Sequence, residues 1–166
     1  MAFVVEDGTG LPDANSLASV QFADDYFQLR GVTEWAGSNE EKQAWLVQAT
    51  DYLSHRFSYK GEQLNGAQAL PFPRTGTGFA AMPVNLLKAT CEYAIRSKSA
   101  PLAPDITVDD TGRAIAGKTE KVGPIEDSVT YATSGPGASI SMFRPYPAAD
   151  MLLKGLVRSN RRVIRG

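Results

Sequence analysis

A capped amphipathic helix in the first half of the chain sets the frame for the fold. The segment Ser38-Asn-Glu-Glu41 has the form of a capping box, in which the Ser38 hydroxyl accepts a hydrogen bond from the Glu41 amide and the Glu41 carboxylate reaches back. Behind it, apolar residues recur at mostly three- and four-residue steps, namely Trp45, Leu46, Ala49, Tyr52, Leu53 and Phe57. This spacing predicts a helix over about residues 39–57 that buries one face.

Three further helices are predicted from residues at their ends. Ser19 is typical of an N-cap, Gly31 of a left-handed closing residue, and Pro83 and Pro147 of the first helical position. These signals predict helices over about residues 19–30, 83–98 and 147–157. The apolar faces predicted to point inward are, helix by helix, Phe22, Tyr26, Phe27 and Leu29, then Val84, Leu87, Cys91, Ala94 and Ile95, then Met151, Leu152 and Leu156.

The other segments are predicted to be extended or looped, apart from one hairpin. Residues 1–18 are rich in Gly, Asp, Asn and Ser and predict an N-terminal arm, and 58–82 predict a long polar loop. The runs Arg113–Val122 and Ile125–Thr133 predict a β-hairpin. An isolated two-stranded hairpin is marginal in water, so we expect it to pack on another surface, such as a neighbouring subunit. The expected fold class is mainly α, a small helical bundle with one β-hairpin and long extended loops and termini.

The charge of the chain is close to neutral in total but divided between its ends. The 166 residues carry a net charge of -1, so composition does not indicate a nucleic-acid binder. Residues 1–51 hold nine acidic residues against two basic ones. The last thirteen residues hold no acid and five basic residues, which are Lys154, Arg158, Arg161, Arg162 and Arg165. We therefore predict three parts of the chain, an arm (1–18), a domain (19–157) and a basic tail (158–166). The opposite charges of its two ends predict head-to-tail association of copies or contact with two unlike partners.

The sequence predicts no catalytic site, no metal site and no cofactor. His55 is the only histidine, which excludes a site of several histidines, and we expect a structural role for it. Cys91 is the only cysteine, so it forms no intrachain disulfide, and its apolar helix face favours a buried, inert thiol. Arg74-Thr-Gly-Thr-Gly78 lacks the Gly-Lys-Ser/Thr ending of a phosphate loop. We also expect no signal peptide and no membrane span.

A series of short motifs resembles a known family. They are Ala49-Thr-Asp-Tyr-Leu53, Tyr59-Lys-Gly61, Gln68-Ala-Leu-Pro-Phe-Pro-Arg-Thr-Gly76, Lys88-Ala-Thr-Cys-Glu-Tyr-Ala94, Pro101-Leu-Ala-Pro-Asp105, Lys121-Val-Gly-Pro-Ile-Glu126 and Tyr146-Pro-Ala-Ala-Asp150. In this order they resemble tailed-phage proteins often labelled "DnaT-like single-stranded DNA-binding protein". By gene context and fold, that family resembles head–tail connector adaptors, also called head-completion proteins. The motifs are structural rather than catalytic.

The resemblance implies a structural part of the virion and not an enzyme. Such adaptors form a ring, commonly of twelve copies, beneath the portal protein at the neck. The ring completes the head, extends the channel through which packaged DNA passes, and gives a platform to the next neck protein or tail-terminator protein. The implied location is the virion, at the head–tail interface, and the host cytoplasm before assembly, with no membrane partner.

Two segments are the candidate contact sites. The tail is predicted to dock on the portal through four arginines and a β-branched pair, which are Arg158, Arg161, Arg162, Arg165, Val163 and Ile164. Two alternatives for the tail are a solvated terminus and a contact with DNA phosphates in the channel. The hairpin turn is predicted to lie between subunits and consists of Lys121, Val122, Gly123, Pro124, Ile125 and Glu126.

The alternative function is single-stranded DNA binding, as the family label says. Such proteins usually combine a basic groove with aromatic side chains on which bases stack. The tail has no aromatic residue, and the aromatics Trp45, Tyr52 and Phe57 fall on the predicted buried face of a helix. The sequence therefore favours the adaptor.

Overall fold

The computed structural model describes residues 2–105, 110, 115–121, 126–131 and 144–158. Its elements in chain order are α1 (Val20–Gln28), α2 (Asn39–Arg56), β1 (Glu62–Gln63), β2 (Arg74–Thr75), α3 (Val84–Ser99), β3 (Ile115–Lys121), β4 (Glu126–Tyr131) and α4 (Pro147–Leu153). The predicted class, a mainly helical fold with a β-hairpin and long loops, is confirmed. The chain divides into a helical unit, residues 1–102 with 145–166, and a hairpin unit, residues 103–144.

The capping box at the start of α2 is present as predicted. The Ser38 hydroxyl accepts from the Glu41 amide at 3.2 Å, and the Ser38 amide donates to Glu41 Oε2 at 2.7 Å. Glu40 and Glu41 also place negative charge in the first turn of the helix, where the helix dipole favours it. These contacts fix the start of the longest helix of the described chain.

The core of the helical unit lies between α2 and α3. α4 packs on α3, and α1 contacts both α2 and α3. The largest fully buried side chains include Tyr93, Phe27, Leu46, Leu53 and Leu86. Trp45, placed on the buried face of α2 by its spacing, is only partly buried, because it lies at the edge of the core against Trp35.

Two helix boundaries and two side chains predicted to be buried differ from the structure. Pro83 is the N-cap of α3 and not its first residue, with an extended backbone at ψ 133°. The spacing predicts Val84 to point inward, but it is 55% exposed, because the buried face of α3 is wider on the side of Leu86 and Tyr93; Cys91 and Ala94 of the predicted stripe are buried as expected. The predicted last helix, 147–157, ends at Leu153, and Met151, predicted to point inward, is 73% exposed, whereas Leu153 is buried.

At the end of α1, one residue differs from its predicted position and another has the predicted conformation. Leu29, predicted to point inward, is the exposed C-cap. Gly31 has a φ of +63°, the left-handed conformation predicted for it. The Ser19 side chain accepts a hydrogen bond from the Phe22 amide, as an N-cap does.

The segment predicted as an N-terminal arm is packed within the helical unit. Its backbone folds back on itself through a bridge between Val5 and Ser16. Leu17 is buried, and its amide donates to the Thr50 hydroxyl on α2 at 3.1 Å. The Glu6 carboxylate is buried too and accepts hydrogen bonds from three backbone amides within the segment, those of Gly8, Gly10 and Leu11.

The loop between α2 and α3 is more ordered than its composition indicates. β1 and β2 pair as a short antiparallel ladder within it, which the prediction of a polar loop omitted. Tyr59 and Phe72 are buried from this loop and contact each other edge to face. The loop is rich in Gly and Pro, but its few large apolar side chains are buried and therefore anchor it to the core.

The hairpin unit contains β3 and β4 in one antiparallel ladder. The register pairs Lys121 with Glu126 nearest the turn and Ile115 with Tyr131 at the far end. A shift in register lies between Ile115 and Gly117. The predicted turn residues 122–125 lie outside the part of the chain that the structure describes.

Candidate docking surfaces

The N-terminal end of α2 is an acidic surface, which we call the acidic end. Its members are four exposed residues, Asp25, Glu34, Glu40 and Glu41. Hydrogen bonds that the Glu40 carboxylate accepts from its own backbone amide and from the Ser38 hydroxyl lower the pKa of Glu40, so this carboxylate is ionised at neutral pH. Asp25 belongs to this end because its neighbour Asp24 accepts a hydrogen bond from Lys42, in the first turns of α2, at 2.8 Å.

Three cations lie among these carboxylates, and each has a specific partner. Lys42 pairs with Asp24. The Arg30 guanidinium lies 3.6 Å from the centre of the Tyr26 ring. Lys98 Nζ donates to the carbonyl oxygens of Glu34 and Ala36 at 2.7 and 2.6 Å. Together with Asp24, five carboxylates stand against these three cations, so the acidic end keeps an excess of negative charge.

The C-terminal end of α2 is followed by a basic surface, which we call the basic end and which consists of Lys60, Arg74 and Arg158. All three side chains donate to backbone carbonyl oxygens rather than to carboxylates. Arg74 donates to Lys60 O at 2.7 Å and to Gly61 O at 2.6 Å, Arg158 to Gly61 O at 3.3 Å, and Lys60 to Gly155 O at 2.9 Å. Burial and the nearby Arg158 lower the pKa of Arg74, partly offset by Glu62. Of these three residues, Arg158 was predicted from the sequence, whereas Lys60 and Arg74 were not.

The root of the predicted docking tail is fixed at the basic end. Val157 forms an antiparallel bridge with Tyr59. The Arg158 amide donates to Ser58 O at 2.8 Å, and the Lys60 amide donates to Leu156 O at 2.9 Å. Of the predicted tail residues, Arg158 is described and exposed, whereas Arg161, Arg162, Val163, Ile164 and Arg165 lie outside the described residues.

A polar network near the basic end joins three helices. The Asp150 carboxylate on α4 accepts hydrogen bonds from the Tyr93 hydroxyl on α3 and from Arg56 Nη2 on α2, the latter at 3.3 Å. It also accepts from the Tyr146 amide at 3.3 Å. Burial, and then the bond to Asp150, raise the pKa of Tyr93. Because the partners of Asp150 come from α2, α3 and the start of α4, we interpret the network as one that holds α4 in place.

An open cleft of about 390 Å³ lies beside the acidic end. Its lining is Asp24, Phe27, Gln28, Gly31, Val32, Thr33, Trp35 and Lys42. Phe27 and Trp35 are buried, with ring centres 5.0 Å apart, and form an aromatic floor. Asp24 Oδ1 accepts from Trp35 Nε1 at 2.7 Å and so ties this floor to α1. We call it the acidic-end cleft.

His55 lies on the surface of α2, and Cys91 lies in the core of the helical unit. His55 is exposed, and its Nδ1 lies 2.7 Å from the carbonyl oxygen of Asp51 within the same helix. Cys91 is buried, and burial raises the pKa of its thiol to about 12. No cluster of metal-ligating side chains occurs among the residues that the structure describes. Nor is any described helix long and apolar enough to cross a membrane.

Aromatic side chains lie mainly in the core and not on a surface platform. Phe79, at 41%, is the exposed aromatic residue among the described side chains. Tyr52, Tyr93 and Tyr146 instead contact one another within the core at ring-centre distances of 5.2 to 6.2 Å. The structure thus offers no row of exposed rings within the described residues.

Fold and surfaces together define a small, mainly helical protein with oppositely charged ends and a two-stranded hairpin unit. Over residues 1–166 the chain matches the family described as "Putative DnaT-like ssDNA binding protein". The chain belongs to this family, as the sequence motifs indicated. No curated protein and no solved structure matches it.

Proposed function

We propose that the protein is a structural adaptor of a tailed phage, forming a ring beneath the portal at the neck of the virion. The observation that carries the proposal is the hairpin unit. Among the described residues, β3 pairs with β4 alone, so each strand has one unpaired edge. Two strands by themselves are marginally stable in water, and a neighbouring subunit would supply the missing surface.

The charge distribution favours repeated contacts of one kind. The acidic and basic ends lie at opposite ends of α2, a helix of 18 residues. A contact between unlike surfaces of identical chains is heterologous, and it closes into a ring when its rotation allows. Opposite charges orient such a contact and speed encounter more than they add affinity.

Single-stranded DNA binding, the function in the family label, is the second candidate. The label itself favours it, and the basic end would attract phosphate groups. Two features weigh against it: exposed aromatic side chains are scarce in the described residues, and the net charge is -1. The adaptor accounts for the hairpin and for the charged ends together, so we place it first.

In this proposal the protein acts by contact and not by catalysis. Its partners are other copies in the ring, the portal above, and the next neck protein or tail-terminator protein below, with packaged DNA passing through the channel. It needs no cofactor and is part of the virion after assembly in the host cytoplasm. Docking of the tail residues on the portal stays a prediction, and a contact of the tail with the next copy in the ring is the competing hypothesis.

Deletion of the gene from the phage genome that encodes the chain tests the proposal. We expect heads and tails to form but not to join, and electron cryo-microscopy of complemented particles to place the protein in a ring at the neck. Normal tailed particles without the protein would contradict an adaptor role.

A titration with labelled single-stranded DNA separates the two candidates. An oligo(dT) probe should bind a DNA-binding protein tightly at low salt and lose affinity steeply as salt rises. The adaptor should show only weak binding. Tight, salt-dependent binding together with normal tailed particles after gene deletion would establish the alternative.

A further inference from the structure

We propose that the acidic-end cleft of one copy binds the C-terminal segment of the next copy, with Val163 and Ile164 in the cleft and the flanking arginines on its rim. The proposal rests on the ring of the proposed function and names the contact that links its subunits. The occupant is a second copy of this chain. Shape, charge and chain length each support it.

The cleft has the shape and lining to take two aliphatic side chains. Its volume of about 390 Å³ is within the range of ligand pockets, which is roughly 300–1,000 Å³. Phe27 and Trp35 form the floor, and the partly buried Val32 adds a third apolar contact. A Cβ atom built on Gly31 would meet nothing within 4 Å, so the rim is open on this side.

The charges around the cleft complement the tail. Asp24 has a side chain that is 38% exposed, and its hydrogen bonds with Trp35 and Lys42 both fall on Oδ1. Oδ2 therefore remains as an acceptor for an incoming guanidinium. Asp24 and its partner Lys42 are the charged residues of the lining, and the exposed carboxylates Asp25, Glu34 and Glu41 are chain neighbours of the lining residues Asp24, Trp35 and Lys42. Arginine suits such a site because its planar group can pair with a carboxylate through two hydrogen bonds.

Chain length makes the contact intermolecular. The tail starts at Arg158, which is bonded to Ser58 beyond the end of α2, whereas the cleft lies beside Lys42 near its start. The helix rises about 1.5 Å per residue, so Lys42 and Arg56 alone are roughly 21 Å apart. An extended chain spans at most about 3.6 Å per residue, which places Val163 no more than roughly 18 Å from Arg158. Ile164 reaches no further than roughly 22 Å and Val163 falls short of the separation, so the tail cannot place both side chains in its own cleft but can place them in that of a neighbour.

A peptide-binding measurement on the full-length protein tests the contact. The probe is a fluorescein-labelled peptide with the sequence of residues 158–166, and fluorescence anisotropy measures its affinity. We expect saturable binding that weakens roughly tenfold or more with the Gln28→Lys variant, because this exposed rim residue would place a like charge beside the arginines. The matched control is Gln48→Lys, an exposed helical position outside the cleft, which should leave the affinity unchanged.

A second peptide separates cleft binding from general charge attraction. Replacing Val163 and Ile164 by Ser keeps every charge, and we expect it to lower the affinity roughly tenfold or more, since two apolar side chains no longer leave water. Equal binding of both peptides, or equal effects of Gln28→Lys and Gln48→Lys, would overturn the proposal.

Failure of this contact between copies and failure of the adaptor role would give different results. A peptide that binds portal-bearing heads but not this protein would show that the tail contacts the portal, which overturns the inference and leaves the adaptor intact. Normal tailed particles after gene deletion would overturn the adaptor, whatever the peptide does.

Discussion

Single side chains decide how firmly α4 is held, and Asp150 is the clearest case. It joins Arg56, Tyr93 and the Tyr146 amide, which come from α2, α3 and the start of α4. The Asp150→Asn substitution keeps the shape but removes the charge that the guanidinium and hydroxyl face. We expect the free energy of unfolding to fall by about 1–3 kcal/mol, as measured by urea denaturation.

The control is Asp51→Asn, which makes the same chemical change at an exposed position of α2. Surface substitutions of this kind usually change stability by less than about 0.5 kcal/mol. If the two variants lost the same amount of stability, the Asp150 network would contribute nothing specific.

Buried tyrosines predict a loss of stability in alkaline solution. Burial raises the pKa of Tyr26 from 10.0 to about 12 and raises the pKa of Tyr59 and Tyr93 as well. Above pH 10 the unfolded chain releases these protons while the folded chain keeps them. The stabilisation is therefore complete below pH 10 and is lost as the pH rises from 10 towards the folded pKa values, with a limiting slope of about 1.4 kcal/mol per pH unit for each group.

Urea denaturation between pH 8 and 11.5 measures this effect. The Tyr59→Phe variant lacks one of the groups, so its stability should fall less steeply above pH 10 and run parallel to that of the wild type below it. Parallel curves over the whole range would mean that Tyr59 does not keep its proton in the folded state.

Among the elements, α2 depends on the cap at its first turn. Ser38→Ala removes the acceptor for the Glu41 amide and the hydroxyl half of the capping box. We expect a loss of about 1 kcal/mol in the free energy of unfolding, within the usual range of about 0.5–2 kcal/mol. Ser38→Thr keeps a hydroxyl acceptor and should restore most of it. A helix equally stable with Ala at this position would show that the side-chain cap is dispensable.

The sequence predicted helix ends better than helix faces. Ser38 with Glu41, Ser19 and Gly31 act locally, so their roles follow from a few neighbouring residues. The buried face of α3 follows only in part: Cys91 and Ala94 are buried as predicted, but Leu86 and Tyr93, which the predicted stripe omitted, are buried as well. The stripe with Tyr93 is buried because Tyr93 finds Asp150 and two other aromatic rings, and these partners come from distant parts of the chain.

The candidate docking surfaces were also only partly predictable from the sequence. The division of charge along the chain follows directly from the residue order, and it predicts either head-to-tail contacts between copies or contacts with two unlike partners. The acidic-end cleft was not predictable, because Asp24, Trp35 and Lys42 meet only through the packing of α1 on α2. Lys60 and Arg74 stand 14 residues apart and come together through the β1–β2 ladder, which the loop composition concealed.

At the scale of the whole molecule, the chain divides into a helical unit and a hairpin unit, and the proposed function gives the assembly contacts to the hairpin unit. The helical unit has the buried core, with Leu46, Leu53 and Leu86 fully buried, and all the described helices. The hairpin unit contributes a single two-stranded ladder among the described residues. If the hairpin serves assembly, the helical unit should fold without it.

Removal of the hairpin unit tests this division directly. The Tyr146 hydroxyl donates to Leu102 O at 3.2 Å, so the two chain ends created by removing residues 103–144 lie close together. A Gly-Ser-Gly-Ser linker, with an average span of roughly 11 Å, can join them. We expect the shortened protein to keep a cooperative thermal transition close to that of the full chain, measured by circular dichroism at 222 nm.

The shortened protein should also fail to restore tailed particles when supplied to the gene-deleted phage. A control with the same linker inserted after Leu102, and no deletion, should restore them. Loss of the cooperative transition would mean that the core depends on the hairpin, whereas full restoration of tailed particles by the shortened protein would remove the hairpin from assembly.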